Sequence, residues 1–159
     1  MKYLILFSLM FMVPSTKKLE TEGFVLEWTH ATEHIQISIS APSTGWVAVG
    51  FTTGSSIVNT NLIQGHVSDG EVFIQDQFVT DLGEHPPVEA LAVAARIFDL
   101  CGEERNGTTT LKFSIYKTKV DNLHCDLAEG NTINVWLAYS LSDDFDHHSR
   151  KRILRRIIL

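Results

Sequence analysis

The sequence predicts an all-β protein, an antiparallel sandwich of two sheets built from about eight to ten short strands. Three observations predict it. Apolar and polar residues alternate with period two through most of the chain from Phe24 onward, turn signals recur about every ten residues, and helical periodicity is scarce. The 159 residues, 44% hydrophobic and 20% charged, suit one domain over 17–159 and leave little room for a second.

Residues 1–16 read as a cleaved export signal: a positive start at Lys2, an apolar run from Tyr3 to Val13 broken only by Ser8, then Pro14 and the small Ser15 and Thr16. That run is too short to span a bilayer, which takes about 20 residues, and the closing ILRRIIL is shorter still and split by two arginines. No transmembrane segment is therefore expected in the mature chain, which is placed in a secreted, extracellular or periplasmic setting. Met1, Met10 and Met12 all lie inside the signal, so the mature chain carries no methionine.

The strands follow in order. Phe24 to Trp28 opens the series, and HIQISIS from His34 puts Ile35, Ile37 and Ile39 on one face and Gln36, Ser38 and Ser40 on the other, the pattern of a half-buried strand. Further segments run from Trp46 to Phe51, Leu62 to Val67, Val72 to Phe78, Leu111 to Tyr116, Ile133 to Tyr139 and Ile153 to Leu159. Between two of them, Ser68-Asp69-Gly70 predicts a tight hairpin. Val88 to Phe98 is rich in alanine and reads as either helix or strand. Trp28, Trp46 and Trp136 are expected in the core or in a pocket wall.

Charge is unevenly placed. The net charge is −6, yet residues 17–149 carry seven cations against nineteen anions, while Arg150, Lys151, Arg152, Arg155 and Arg156 crowd the last ten positions. An acidic body excludes nucleic acid as a partner, because phosphate binding needs a basic face. The basic tail is expected to neutralise that body, with an acidic partner or lipid headgroups as the other reading.

Cys101 and Cys125 are the only cysteines, and in an exported protein an even pair predicts a disulfide. The strand between them carries the chain about 30 Å at about 3.3 Å per residue, so a bridge requires the flanking loops to fold back. An intermolecular bridge and two free thiols are the rival states. Asn106-Gly107-Thr108 is a glycosylation sequon in a turn.

Seven histidines raise the question of metal. His30 and His34 have helical ligand spacing but flank a turn, and Ala31 stands where a zinc protease carries glutamate. Adjacent His147 and His148 point to opposite sides of an extended chain, so at most one is expected to face inward. His66 sits beside Gly65, where a missing side chain admits a ligand or another backbone. No G-x-S-x-G, Walker or G-x-G-x-x-G motif occurs, and the neighbouring carboxylates Glu103-Glu104 and Asp143-Asp144 read as solvated turns; spacing assigns no catalytic residue.

Taken in order, GFVLEWT, SAPSTGWVAVGF, LIQGHVSDGEVFIQD, GEERNGTTTLKFS, VDNLHCDL, INVWLAYSLSDDFDHHSRKR and the closing RIIL resemble the DOMON domain, named for the N-terminal domain of dopamine beta-monooxygenase and found also in secreted cytochromes. The resemblance runs from Gly23 to Leu159 and implies an immunoglobulin-like sandwich that binds a ligand. In the cytochrome members that ligand is b-type haem, held between a methionine and a histidine. The histidine lies in the stretch that here reads DDFDHHSRKR, where His148 is the better match than His147. The methionine lies in the loop after GWVAVGF, where this chain reads GSSIVNT with Ile57 at that place.

Without methionine a Met/His pair is excluded from the mature chain. The resemblance then implies haem on His148 alone, or on His148 with a second nitrogen ligand, His66 first and His30, His34 or a lysine behind it. No C-x-x-C-H motif occurs, so attachment is expected to be noncovalent. Other members carry no haem and serve as carbohydrate-binding or interaction domains; a sugar stacked on Trp46 or Trp136 is that version. The partner is then a small molecule, haem or sugar, or a redox protein. Copper monooxygenase domains have no counterpart in the sequence.

Overall fold

The computed structural model describes residues 15–159. Of the export signal expected over residues 1–16, residues 1–14 lie outside the described residues, and Thr16 is in the first strand, opposite Thr29. One sheet has the order β1 (Thr16–Thr21), β2 (Phe24–His30), β3 (His34–Ala41), β8 (Thr108–Tyr116), β7 (Ile97–Arg105). The other has the order β10 (Lys151–Ile158), β9 (Thr132–Tyr139), β4 (Val47–Thr52), β5 (Asn61–Ser68), β6 (Glu71–Phe78). All pairings are antiparallel.

The sheets hold together by their inward faces. Phe24 and Leu26 from β2, Ile35 and Ile39 from β3, and Leu111 and Ile115 from β8 meet Val47, Val49 and Phe51 from β4 and Val135 and Leu137 from β9 in one continuous core. Each such side chain contributes about 1.5–3 kcal/mol by leaving water. The alternation seen in HIQISIS is thus realised: Ile35, Ile37 and Ile39 are at most 3% exposed. Gly65 serves the same packing, because a Cβ there would stand 2.5 Å from the Phe73 carbonyl oxygen and 2.8 Å from Ile74. Its missing side chain admits a neighbouring strand, not a ligand. The hairpin at Ser68-Asp69-Gly70 forms as expected, with φ of +53° at Asp69 and +80° at Gly70, the conformation of a type I′ turn.

Two strands were not legible in the pattern. β1 reads TKKLET and has one apolar residue, and β7 is an edge strand whose pairing with β8 shifts register between Phe98 and Cys101, where Asp99 has a φ of +53°. The ambiguous segment from Val88 to Phe98 resolves into a short 3-10 turn over Val88–Leu91, closed by Ala92 in the left-handed region, and the start of β7.

The expected disulfide does not form. Cys101 is exposed on edge strand β7, whereas Cys125, in the β8–β9 connection, packs against the core and donates from Sγ to the Phe51 carbonyl of the other sheet at 3.1 Å. Both thiols are free. Two of the five cations in the basic tail neutralise one carboxylate: Lys151 pairs with Glu22 at 3.1 Å, and Arg155 pairs with the same side chain.

Candidate functional site

The outer face of the second sheet carries a second apolar cluster: Trp46, Ala48, Leu62, Val79 and Ala138, with Ile57 and Phe145 packed on it. Ala48 and Ala138 are register partners on β4 and β9, so two methyl groups stand where larger side chains would fill the space. The result is a cleft of about 620 Å³ with this cluster as floor and walls, within the range of about 300–1,000 Å³ usual for small-molecule sites.

Strand register fixes what stands at each end. β4 starts with Val47 opposite Tyr139, so the β9–β10 loop leaves at the Trp46 end. Near the other end of β4, Phe51 lies opposite Asn61, which faces Phe78, so the β4–β5 loop and the segment after β6 leave at the far end. Phe145, His147 and His148 therefore border the cleft from one end, Ile57 and His85 from the other, and Arg152 from β10 stands at its rim.

The histidine loop is stapled to the sheet. Trp46 N–H donates to the Ser142 carbonyl at 3.1 Å, Ser140 N–H donates to the Trp46 carbonyl at 2.9 Å, and the Ser43 hydroxyl donates to the Ser140 carbonyl. His147 Nδ1 lies 3.1 Å from both the Ser140 hydroxyl and the His148 carbonyl. Its N–H donates to the Asp144 carbonyl at 3.0 Å, which closes a turn. That turn corrects the expectation that only one of the two histidines faces inward: the chain is not extended here, and both line the cleft. The His148 ring makes no hydrogen bond among the described residues.

Gly45 completes the staple, since a Cβ there would stand 2.5–2.6 Å from the backbone of Leu141 and Ser142. Gln64 reaches the loop as well, donating from Nε2 to the Phe145 carbonyl at 3.2 Å. Two polar atoms of cleft residues, Trp46 Nε1 and Gln64 Oε1, are buried without a partner.

Of the residues singled out in the sequence, Trp46, Ile57 and His148 meet in this cleft, and His66 does not. The His66 ring is stacked on Phe73 at 4.9 Å and capped edge-on by Phe145 at 5.3 Å, with Asp143 Oδ2 3.6 Å from its Nδ1. Phe145 thus separates it from the site. His30 and His34 bracket the β2–β3 turn; among the described residues no three His, Cys, Asp or Glu side chains gather as a metal set. Trp136 stands outside the cleft, with the Arg152 guanidinium 5.8 Å from its ring centroid. Asn106 is exposed at the tip of the β7–β8 hairpin.

Two histidines went unread in the sequence. His85 donates from Nδ1 to Gln77 Oε1 at 3.2 Å, and Gln77 Nε2 in turn donates to Gln75 Oε1 at 2.9 Å. His124 is buried between two carboxylates, Nε2 3.0 Å from Asp76 Oδ2 and Nδ1 2.8 Å from Asp121 Oδ2. Both ring nitrogens face acceptors, so both carry protons and the ring is a cation. Burial is the largest influence on the ring and lowers its pKa, but the hydrogen bonds and charges of Asp76 and then Asp121 together outweigh it and hold the pKa above the ordinary 6.5. Asp76 also accepts from Asn61 Nδ2 at 2.6 Å and from the Arg96 N–H at 2.8 Å. This network ties β6, which carries Gln75 and Gln77, to the β8–β9 connection. No sequence signal marks either histidine, because each acquires its partners from strands distant in the chain.

Residues 20–140 match the family described as DOMON domain. This chain belongs to the DOMON domain family. Two solved structures share its sandwich at low identity. The cytochrome b domain of pyranose dehydrogenase from Coprinopsis cinerea aligns with a TM-score of 0.65 and 12% identity, over 89% of this DOMON chain and 80% of that one. The cytochrome domain of Myriococcum thermophilum cellobiose dehydrogenase aligns with a TM-score of 0.66 and 12% identity, over 92% and 82% of the two chains. No curated protein sequence matches this DOMON domain.

Proposed function

We propose that this chain is an exported DOMON module that binds b-type haem noncovalently in the cleft on the outer face of its second sheet and exchanges electrons with a redox partner. The observation that carries the reading is the meeting of Trp46, Ile57 and His148 in one cleft of a sandwich whose structural neighbours are cytochrome domains. The donor set fits: a neutral imidazole at His148 offers iron a lone pair, and Ala48, Leu62, Val79 and Ala138 offer an apolar bed. Arg152 at the rim and the unpartnered Trp46 N–H are donors for carboxylate groups on the ligand. Bound haem supplies a one-electron couple, and the protein sets its potential through the axial ligand, burial and hydrogen bonding.

The chain's residues divide the task. His148 supplies the nitrogen, and His147, tied through Nδ1 to Ser140 and to the His148 carbonyl, holds the loop that presents it. Ile57 has no donor atom and contributes packing only. Export through residues 1–16, a single domain over 17–159 and glycosylation at Asn106 belong to the same reading. The test is haem titration of the purified domain. His148→Ala is expected to abolish or strongly weaken the Soret band, whereas His147→Ala retains it; the reverse pattern moves the ligand by one residue.

A second reading rests on the unpartnered Trp46 Nε1 and Gln64 Oε1, a donor and an acceptor that a ligand hydroxyl would satisfy. A sugar seated there changes tryptophan fluorescence on titration, and a flat response across a broad glycan panel removes this reading.

A further inference from the structure

We infer that His85 is the second axial nitrogen ligand in the cleft, taking the place that a methionine fills in the haem-binding relatives. The inference rests on the haem reading above. Ile57, which the resemblance puts at or near the methionine's place, lines the far end of the cleft, but its side chain has no lone pair. His85 lines the same end of the same cleft.

The path that brings His85 there is fixed by backbone bonds. After β6 the chain is held to the β4–β5 loop by Asn59 N–H donating to the Val79 carbonyl at 2.8 Å and Val79 N–H to the Thr60 carbonyl at 3.0 Å. It then turns back, with Phe78 N–H donating to the Pro86 carbonyl at 3.1 Å. His85 is thereby laid beside Gln77, which is register partner to Leu62 of the cleft floor.

The ring is prepared for ligation. Gln77 Oε1 accepts only, so the proton of neutral His85 sits on Nδ1 and the lone pair sits on Nε2, which makes no hydrogen bond among the described residues. A ligating histidine usually gives its other N–H to such an acceptor, which fixes its tautomer and orientation. His85 is half-buried, so the ring is fixed yet accessible from the cleft. His85 and His148 line one cleft from two different loops, so a planar ligand seated between the loops would meet an imidazole on each of its faces.

The experiment is haem titration of the wild-type domain and of His85→Ala and His85→Gln, read by absorption and electron paramagnetic resonance of the ferric form. Wild type is expected to be six-coordinate and low-spin. Both variants are expected to lose the low-spin signal and become high-spin while keeping their haem on His148, and added imidazole is expected to restore the low-spin state to His85→Ala. Restoration also shows that the variant is folded. A wild-type low-spin spectrum retained in both variants overturns the role of His85 alone. Wild-type protein that takes up no haem overturns the haem reading and this inference together.

Discussion

Substituting leucine for His124 breaks a buried contact between an imidazolium and two carboxylates. Asp76 is fully buried and His124 is 2% exposed, so His124→Leu leaves a carboxylate inside the protein without its cation. Breaking a buried ion pair from one side costs about 3–5 kcal/mol. Asp76 retains the Asn61 amide at 2.6 Å and the Arg96 N–H at 2.8 Å, which sets the expected loss at the low end, about 3 kcal/mol. For a domain of this size the melting temperature falls by about 6–12 °C.

The pH dependence adds a second constraint. The folded pKa of His124 lies above 6.5, so its contribution is complete below that value and is lost as pH rises through the folded pKa. The folded pKa of Asp121 is lowered from 3.8: burial alone raises it, and the side-chain hydrogen bond from His124 and the N–H groups of His124 and Leu123 outweigh burial. Its contribution is present above 3.8 and lost as pH falls through the folded pKa. Urea unfolding across pH should therefore show the largest difference between wild type and variant between about pH 4 and 6.5, narrowing on the alkaline side. A loss below about 1 kcal/mol, or a difference that widens as pH climbs, refutes the charged-cluster account.

Gly45→Ala puts a methyl group about 1 Å inside ordinary contact with the Leu141–Ser142 backbone, so the histidine loop must shift; a stability loss of about 1–3 kcal/mol and weaker haem uptake are expected in parallel by melting and titration. Ile57→Met returns a thioether to the far end of the cleft, and electrochemistry of the loaded variant should show a higher potential than wild type if sulfur displaces nitrogen from iron. Native protein treated with a thiol alkylating agent should gain one adduct quickly, on exposed Cys101, and a second only slowly, because burial raises the Cys125 pKa and leaves little thiolate; intact mass separates the two. The same spectrum before and after reduction of the unfolded protein should show no 2 Da gain, which a bridge between the two cysteines would give.

The sandwich was legible because its central strands bury one face and expose the other, and period two records that directly at Ile35, Ile37 and Ile39. β1 and β7 escaped the pattern because edge strands need bury little, and the Asp99 irregularity breaks the alternation of β7. The cleft was legible only in part. Ile57 and His148 came from resemblance, and Trp46 from being a large aromatic beside a strand. The hollow itself depends on Ala48 and Ala138 falling in register across two strands, which spacing along one chain does not reveal. His66 looked available beside Gly65, yet Phe73 and Phe145 enclose it, and His85 reaches the site by a loop that doubles back on β6.

The most direct test of the central claim is the absorption spectrum, from the Soret to the α band and before and after dithionite, of protein produced with export and supplied with haem. Stoichiometric haem with a sharp six-coordinate reduced spectrum, lost or greatly weakened in His148→Ala, is the expected result. Colourless protein that refuses added haem contradicts the account and leaves the cleft to another ligand.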